Sequence, residues 1–384
     1  MSSRGEYGSG TIVMPRGFSE WKDQDIKMES PWDIADAYEN KKLAGAFQIP
    51  EQHEKFLEEA KRDTGYAYLE DAAHDNGWAD SGKGKLAIPF VHLAEAYPQA
   101  IPGPGQVVGD CVSHSQKNAN LLSMVCEVVA GNPDQEHGKR EMFPKVDLIG
   151  EKNGVMSTEA IYWHRGYDGH GWYCGASARV SRQLAGCVLR QDYPELGFDL
   201  TRYSGANIKL FGSRKPTRSV IDEHDDHLVR AAAEVRGAEG VRDALFNGYA
   251  ISSCGMEGFE RQRDKYGVSR RTTQWAHAMA YFAFDDRAEI VRKYGGPLVL
   301  VQNSWGVWNK GPRAIYDSAK YVPANKKQDW INKGIVDPGT GAILIPHGSF
   351  WARWSDVSRR ECYVMSSVNG WPKQTIDWGN SLWG

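Results

Sequence analysis

Apolar residues recur along this chain in two rhythms, and the rhythm changes near its middle. After Cys111 the run CVSHSQKNANLLSMVCEVVAG places Val112, Ala119, Leu122, Met124, Val125, Val128 and Val129 roughly on one side of a helix, with Gly131 as its stop. A helix is also predicted over STEAIYWHRG, where Ser157 and Glu159 resemble an N-cap pattern. Others are expected over ASARVSRQLAG, ending at Gly186, and over VRDALFNG (241–248). Beyond that the runs YAISSCGM, HAMAYFAFDD, PLVLVQNSW and AILIP are short, apolar or alternating, and bounded by Gly, Pro or Asp, which is the pattern of strands. Helices first and strands second predict an α+β fold of two lobes with a cleft between them.

Residues 1–85 have a different texture. A Gly/Ser-containing opening leads into charge-alternating stretches, of which Glu51 to Arg62 predicts one amphipathic helix through Phe56, Leu57 and Ala60. The segment 71–85 has the composition of a loop, and IPGPGQVVGD before Cys111 excludes regular structure. The division expected is an N-terminal arm (1–85), a main domain (86–364, helical lobe about 105–215, β lobe about 240–364) and a Trp-rich tail (365–384). The arm does not have the pattern of a typical inhibitory prosegment, because no long charged helical pair precedes the domain; should it fill the cleft, it would be an autoinhibitory segment.

Composition narrows the classes of function. With 46 basic and 49 acidic side chains the net charge is −3, so bulk charge gives no reason to expect a nucleic-acid partner. No apolar run approaches the ~18 residues that span a bilayer, so no membrane partner is expected. The start lacks the apolar core of a signal peptide, which points to a cytoplasmic protein. The six cysteines, at 111, 126, 174, 187, 254 and 362, are sparse and contain no CxxC. Apart from Cys111 they read as packing residues. Fourteen Trp residues point to a Trp-rich core, with docking to a partner as the sharper alternative.

Candidate chemistry lies in residues far apart in sequence. Cys111 opens a helix directly after a Gly/Pro-rich loop, where unpaired backbone N–H groups and the helix dipole favour a thiolate. Gln106 lies five residues before it, His277 opens a strand-like run, and Asn303-Ser304-Trp305-Gly306 follows the apolar VLVQ. His224 and His227 sit in a polar loop with Pro216 upstream, so no metal site is expected there. No Gly-x-Ser-x-Gly and no HExxH occurs, which removes those two hydrolase motifs.

Taken together, Gln106-x-x-Gly109-x-Cys111, the helix behind it, Tyr193-Pro194, the NGYAISS strand (247–253), His277-Ala278 and Asn303-Ser304-Trp305-Gly306 resemble the papain-like cysteine peptidases, in the family's order. His277 and Asn303 lie 166 and 192 residues after the cysteine, against ~130–150 in the papain group. Insertions are therefore expected in VIDEHDD (220–226) and between His277 and Asn303. The Gln-to-Cys spacing is one position shorter than the family's, Val112 stands where an aromatic residue is usual, and no cysteine precedes Cys111 closely.

The resemblance implies a peptide-hydrolysing thiol enzyme without a cofactor. Cys111 would be the nucleophile, His277 the base and Asn303 its orienting partner. Gln106 and the Cys111 backbone N–H would form the oxyanion hole, with Ser304 and Trp305 in support. Its partner would be a peptide or protein substrate. Two alternatives keep the same architecture. One is a structural or docking component of an assembly such as a virus particle, docked through residues 1–85 and the tail (Trp371, Trp378, Trp383). The other is a peptidoglycan amide hydrolase.

Overall fold

In the computed structural model, which describes residues 31–40, 42–98, 100, 103, 105–131, 156–165, 170–183, 188–213, 229–374 and 376, the run around His277 becomes the longest strand. The elements, in chain order, begin with α1 (Pro31–Glu39), β1 (Ala46–Phe47), α2 (Pro50–Thr64), α3 (Leu69–Asp75), β2 (Leu86–Ala87), α4 (Phe90–Ala96), α5 (Cys111–Val129), α6 (Thr158–Trp163), β3 (Trp172–Tyr173) and α7 (Cys174–Gln183). They continue with β4 (Asp192–Tyr193), β5 (Phe198–Asp199), α8 (Gly205–Gly212), β6 (Ala231–Glu234), α9 (Gly237–Phe246), β7 (Ile251–Phe259), β8 (Arg271–Asp285), α10 (Ala288–Tyr294), β9 (Leu298–Gln302), β10 (Ser349–Arg353) and β11 (Glu361–Ser366). The fold is a mixture of helix and sheet.

A seven-stranded antiparallel sheet runs in the order β10-β9-β8-β7-β11-β6, with β2 added to β8. β8 is buried from Trp275 through Asp285, so its central residues are apolar on both faces and do not alternate. One face is covered by α5. That helix begins at Cys111 as expected, but every residue from Cys111 to Glu127 is buried, and the expected solvent side does not exist.

Several of its polar positions are accommodated by hydrogen bonds. Ser115 Oγ shares one with Ser252 Oγ at 2.8 Å and donates to the Met279 carbonyl at 2.7 Å. Glu127 accepts from the Ser366 and Ser367 hydroxyls. The two valines placed on the apolar side, Val128 and Val129, are instead 51% and 45% exposed, because the helix emerges from the body there.

Three other expectations are corrected. The loop reading of 71–85 fails at its start, because Leu69, Ala72 and Ala73 make a buried i, i+3, i+4 face for α3. AILIP forms no strand of the sheet. Ile343 and Leu344 make only isolated bridges to Val336 and Ala314, and the Ile343 N–H is taken by Ser318 Oγ at 2.9 Å. Cys174 and Cys254 are not packing thiols but a disulfide, with Cα atoms 6.3 Å apart. Cys111, Cys126 and Cys362 are free and buried; Cys187, VIDEHDD, His224 and His227 lie outside the described residues.

The described part of residues 1–85 is packed into the body. β2 pairs with β8, and Phe56 of α2 meets Tyr363 edge-on at 4.9 Å. At the other end Trp371 is fully buried, with Trp78 Nε1 donating to its carbonyl at 2.9 Å. Trp378 and Trp383 lie outside the described residues. Trp78, Trp275, Trp305, Trp308, Trp330 and Trp351 are also buried, so indole among the described residues is chiefly core. Among the described residues no helix is long and apolar enough to cross a membrane.

The disulfide joins residues 80 apart in sequence, and closing such a loop removes unfolded-state entropy equivalent to about 4 kcal/mol. Replacing both cysteines by serine is expected to lower unfolding stability by about 2–4 kcal/mol, measured by denaturant titration of the oxidised protein. An unchanged midpoint would show that the bond is not formed.

Candidate active site

Residues 105–110 approach α5 in an irregular conformation and leave its first turn facing β8 and the residues after β9. Asp110 precedes the helix, but its carboxylate does not cap it. It accepts the Tyr203 hydroxyl at 3.1 Å and lies 3.3 Å from the His114 ring. The Cys111 sulfur accepts the Ala278 backbone N–H at 3.3 Å, which docks the thiol against the strand residue that follows His277.

Four of the residues singled out from the sequence join in one hydrogen-bonded chain beside that sulfur. His277 Nε2 donates to Asn303 Oδ1 at 2.8 Å, and the Ser304 N–H donates to the same oxygen at 2.7 Å. Since a backbone N–H can only donate, the atom it meets is the amide oxygen. That assignment puts the imidazole proton on Nε2 and leaves Nδ1 bare. Ser304 Oγ donates to Gln106 Oε1, and the Gln106 N–H donates to the Ser304 carbonyl at 2.8 Å. Trp305 is fully buried and stacks on His277 with ring centroids 4.7 Å apart; Trp275 and Trp308 back it at 4.7 and 5.3 Å.

The thiol and imidazole do not touch by hydrogen bond. His277 Nδ1 is buried without a partner, and Cys111 is 0% exposed. What closes the site is Tyr38 of α1, which sequence reading did not single out. Its ring lies 4.7 Å from His277 and 5.2 Å from Trp305. Its hydroxyl is hydrogen-bonded to Cys111 and accepts Gln106 Nε2 at 3.3 Å. The same Gln106 amide also donates to the Val108 carbonyl at 2.8 Å. The signal for α1 was present as the buried spacing Ile34, Ala35, Tyr38.

The chain after α1 stays in the same groove. The Gly45 N–H donates to the Ala276 carbonyl at 2.9 Å, and its carbonyl accepts the Trp172 N–H at 3.1 Å. β1 then runs parallel to β3, with Ala46 opposite Trp172. A Cβ on Gly45 would stand 2.1 Å from the Tyr38 hydroxyl and 2.5 Å from the Cys111 sulfur, so only glycine passes the thiol this closely. Phe47 packs with Ala276, Tyr173 and Met256, over Gly171, where a Cβ would meet its ring at 2.6 Å.

Electrostatics follow from this closure. Burial pushes the His277 imidazole down to about 3, opposed by its bond to Asn303 and reinforced by Arg360 and His114. Burial pushes the Cys111 thiol up to about 12, opposed by the Tyr38 and Ala278 hydrogen bonds. Both groups are therefore neutral in this state, and the thiolate expected from the helix terminus is not the state described. Among the described residues no group of His, Cys, Asp or Glu is arranged to hold a metal ion.

No family model matches this chain, and no curated protein does. Solved structures do. The cysteine protease xylellain from Xylella fastidiosa is similar at 14% identity and a TM-score of 0.41, covering 80% of this chain and 97% of its own. The clostridial cysteine protease Cwp84 after propeptide cleavage is similar at 16% and 0.42, covering 74% and 57%. A digestive procathepsin L of Tenebrio molitor larval midgut is similar at 9% and 0.38, covering 82% and 79%. Likeness at such scores carries no argument about what this chain does.

An unfolded histidine titrates near ~6.5, and folded His277 near about 3. The unfolded chain therefore binds more protons between those values, so this group favours the fold fully above about pH 6.5 and opposes it as pH falls. Ring ¹⁵N spectra at about pH 5 are expected to show His277 as the neutral Nε2–H form. An imidazolium there would contradict the closed geometry.

Proposed function

We propose that this chain is a papain-like cysteine peptidase that hydrolyses peptide amide bonds through Cys111, His277 and Asn303, and that its own residues 33–40 and 42–48 hold it closed. In this reading a helical lobe (about 105–215) faces a sheet lobe (about 240–364), with the thiol in the cleft between them. One observation carries it: a sulfur at the first turn of a helix lies against the residue after His277, beside the chain His277–Asn303–Ser304–Gln106.

Withdrawal of the segment lets water and substrate reach the thiol and relieves the desolvation that keeps both groups neutral. The helix terminus then favours the thiolate, and the Cys111 proton passes to His277 Nδ1. Sγ adds to the amide carbon, and the carbonyl electron pair becomes an oxyanion. That oxyanion is met by the Cys111 N–H and the Gln106 amide, at the place the Tyr38 hydroxyl now holds. One such donor is worth ~2.7–4 kcal/mol in the transition state. The imidazolium gives its proton to the leaving nitrogen as the C–N bond breaks. Water, deprotonated by Nδ1, then splits the thioester and regenerates the thiol. Asn303 keeps the Nε2 proton engaged throughout, and Trp305 keeps water off that bond. No cofactor enters these steps.

The sealed thiol also fits a protein that keeps this architecture only as a scaffold, and opening the site separates the two readings. In the full chain at about pH 6, Cys111 is expected to alkylate slowly. Tyr38→Ala, or Tyr38→Phe if the larger deletion fails to fold, is expected to speed labelling of Cys111 about tenfold or more, by peptide mapping, and to give peptide hydrolysis that Cys111→Ser abolishes. Fast labelling without hydrolysis of any peptide would establish the scaffold. Cleavage of cross-linked muropeptides but not linear peptides would move the substrate to peptidoglycan.

A further inference from the structure

The pairing of β7 with β8 goes out of register beside the imidazole. Gly255 lies opposite His277, and the next pair is Glu257 with Gln274, so β8 carries one extra residue immediately before His277. Such a bulge re-aims the side chains next to it, and something must hold the strand there. Arg360, from the turn before β11, lies under this point with its side chain 0% exposed. Its Nη2 donates to the His277 carbonyl at 2.6 Å and to the Ser253 carbonyl at 3.2 Å. Its Nε donates to Ser253 Oγ at 2.9 Å, and its Nη1 pairs with Glu257 at 3.2 Å. Gly255 makes room for the pair, since a Cβ there would stand 2.5 Å from Glu257 Oε2 and 2.6 Å from Arg360 Cγ.

We propose that Arg360, held by Glu257, is a positioning residue of this site: its guanidinium fork clamps the His277 backbone at the bulge and sets the charge beneath the imidazole and thiol. A buried ion pair is a weak stabilising device compared with apolar packing. Four donors in a fixed plane, spread over two strands, are what a guanidinium supplies and an ammonium does not. The groups that face His277 are Cys111 and His114 from α5, Tyr38 from α1, Asn303 after β9, and Arg360 with Glu257 behind it. Asp110, beside Cys111 in the chain, raises the thiol, and the Arg360 cation bears on both reacting groups, lowering His277 and Cys111 alike.

Its catalytic meaning rests on the peptidase reading, but the test is made without turnover. In the full chain opened by Tyr38→Ala, the pH midpoint of Cys111 alkylation is compared across variants. Arg360→Met removes the cation and is expected to raise the midpoint by about one unit; Glu257→Gln leaves the cation unneutralised and is expected to lower it. Arg360→Lys keeps the charge and loses the fork, so its midpoint stays.

Opposite shifts are what a merely loosened strand does not produce. Equal shifts, or none, overturn the proposal, and Glu257→Gln with Arg360→Lys decides the matter if Arg360→Met fails to fold. If Tyr38→Ala leaves Cys111 closed, the comparison moves to the ¹⁵N titration of His277 in the otherwise unaltered chain. There Arg360→Met must raise the midpoint and Arg360→Lys must not, and identical midpoints overturn the proposal. Opposite shifts in a chain that hydrolyses nothing would leave the clamp standing and the peptidase reading fallen.

Discussion

The structure turns on one sulfur atom shut away from water at the first turn of a helix. A lone thiol beside the free N–H groups of a helix terminus has every local reason to ionise. Here dehydration outweighs those reasons, and the thiol and the neighbouring imidazole are both held neutral. The dehydration is supplied by a short stretch of the same chain: the Tyr38 ring on His277, the Gly45 backbone across the sulfur, and Phe47 against Ala276. Whether the site is charged is thus decided by what covers it.

The polar groups behind the sulfur explain how so much dehydration is borne. Gln106, Ser304, Asn303 and His277 satisfy one another in sequence, and a buried network of this kind is favourable only when its members are paired. Three atoms break the rule: His277 Nδ1, Asn303 Nδ2 and Trp305 Nε1 are buried without partners. Unpaired buried polar groups are costly, and Nδ1 is the one that faces the chemistry. Under the proposed reading its missing partner is the proton of the thiol.

Much of this was legible from residues alone, and the reasons are local. Cys111 after a Gly/Pro-rich loop, the apolar run that leads to Asn303, and the strand that carries His277 each announce themselves by composition within a few residues. What stayed hidden depends on tertiary contact. α5 reads as one-sided because its serines and Gln116 look solvent-facing, yet Ser115, Gln116 and Ser123 each find a buried partner. The Cys174–Cys254 bond joins residues whose spacing carries no signature. Arg360 looks like an ordinary surface arginine in SRREC, and nothing nearby in sequence says that its fork reaches the carbonyl of His277. Tyr38 was within reach as part of an amphipathic turn, but its destination was not.

Under the proposed reading, a peptide lying across the Cys111 thiol ought to be cut by it, and the geometry of the closing segment accounts for its survival. The Gly45 carbonyl accepts the Trp172 N–H at 3.1 Å, not the Gln106 amide that under the proposed reading would receive an oxyanion. That amide is occupied by a phenol oxygen, which cannot be attacked. β1 also runs parallel to β3, so a chain of opposite direction would offer its carbonyls in a different register along the same wall. Under that reading the segment fills the groove while withholding a carbonyl from the place where addition would be stabilised. Its occupancy is set by packing and not by chemistry at the sulfur.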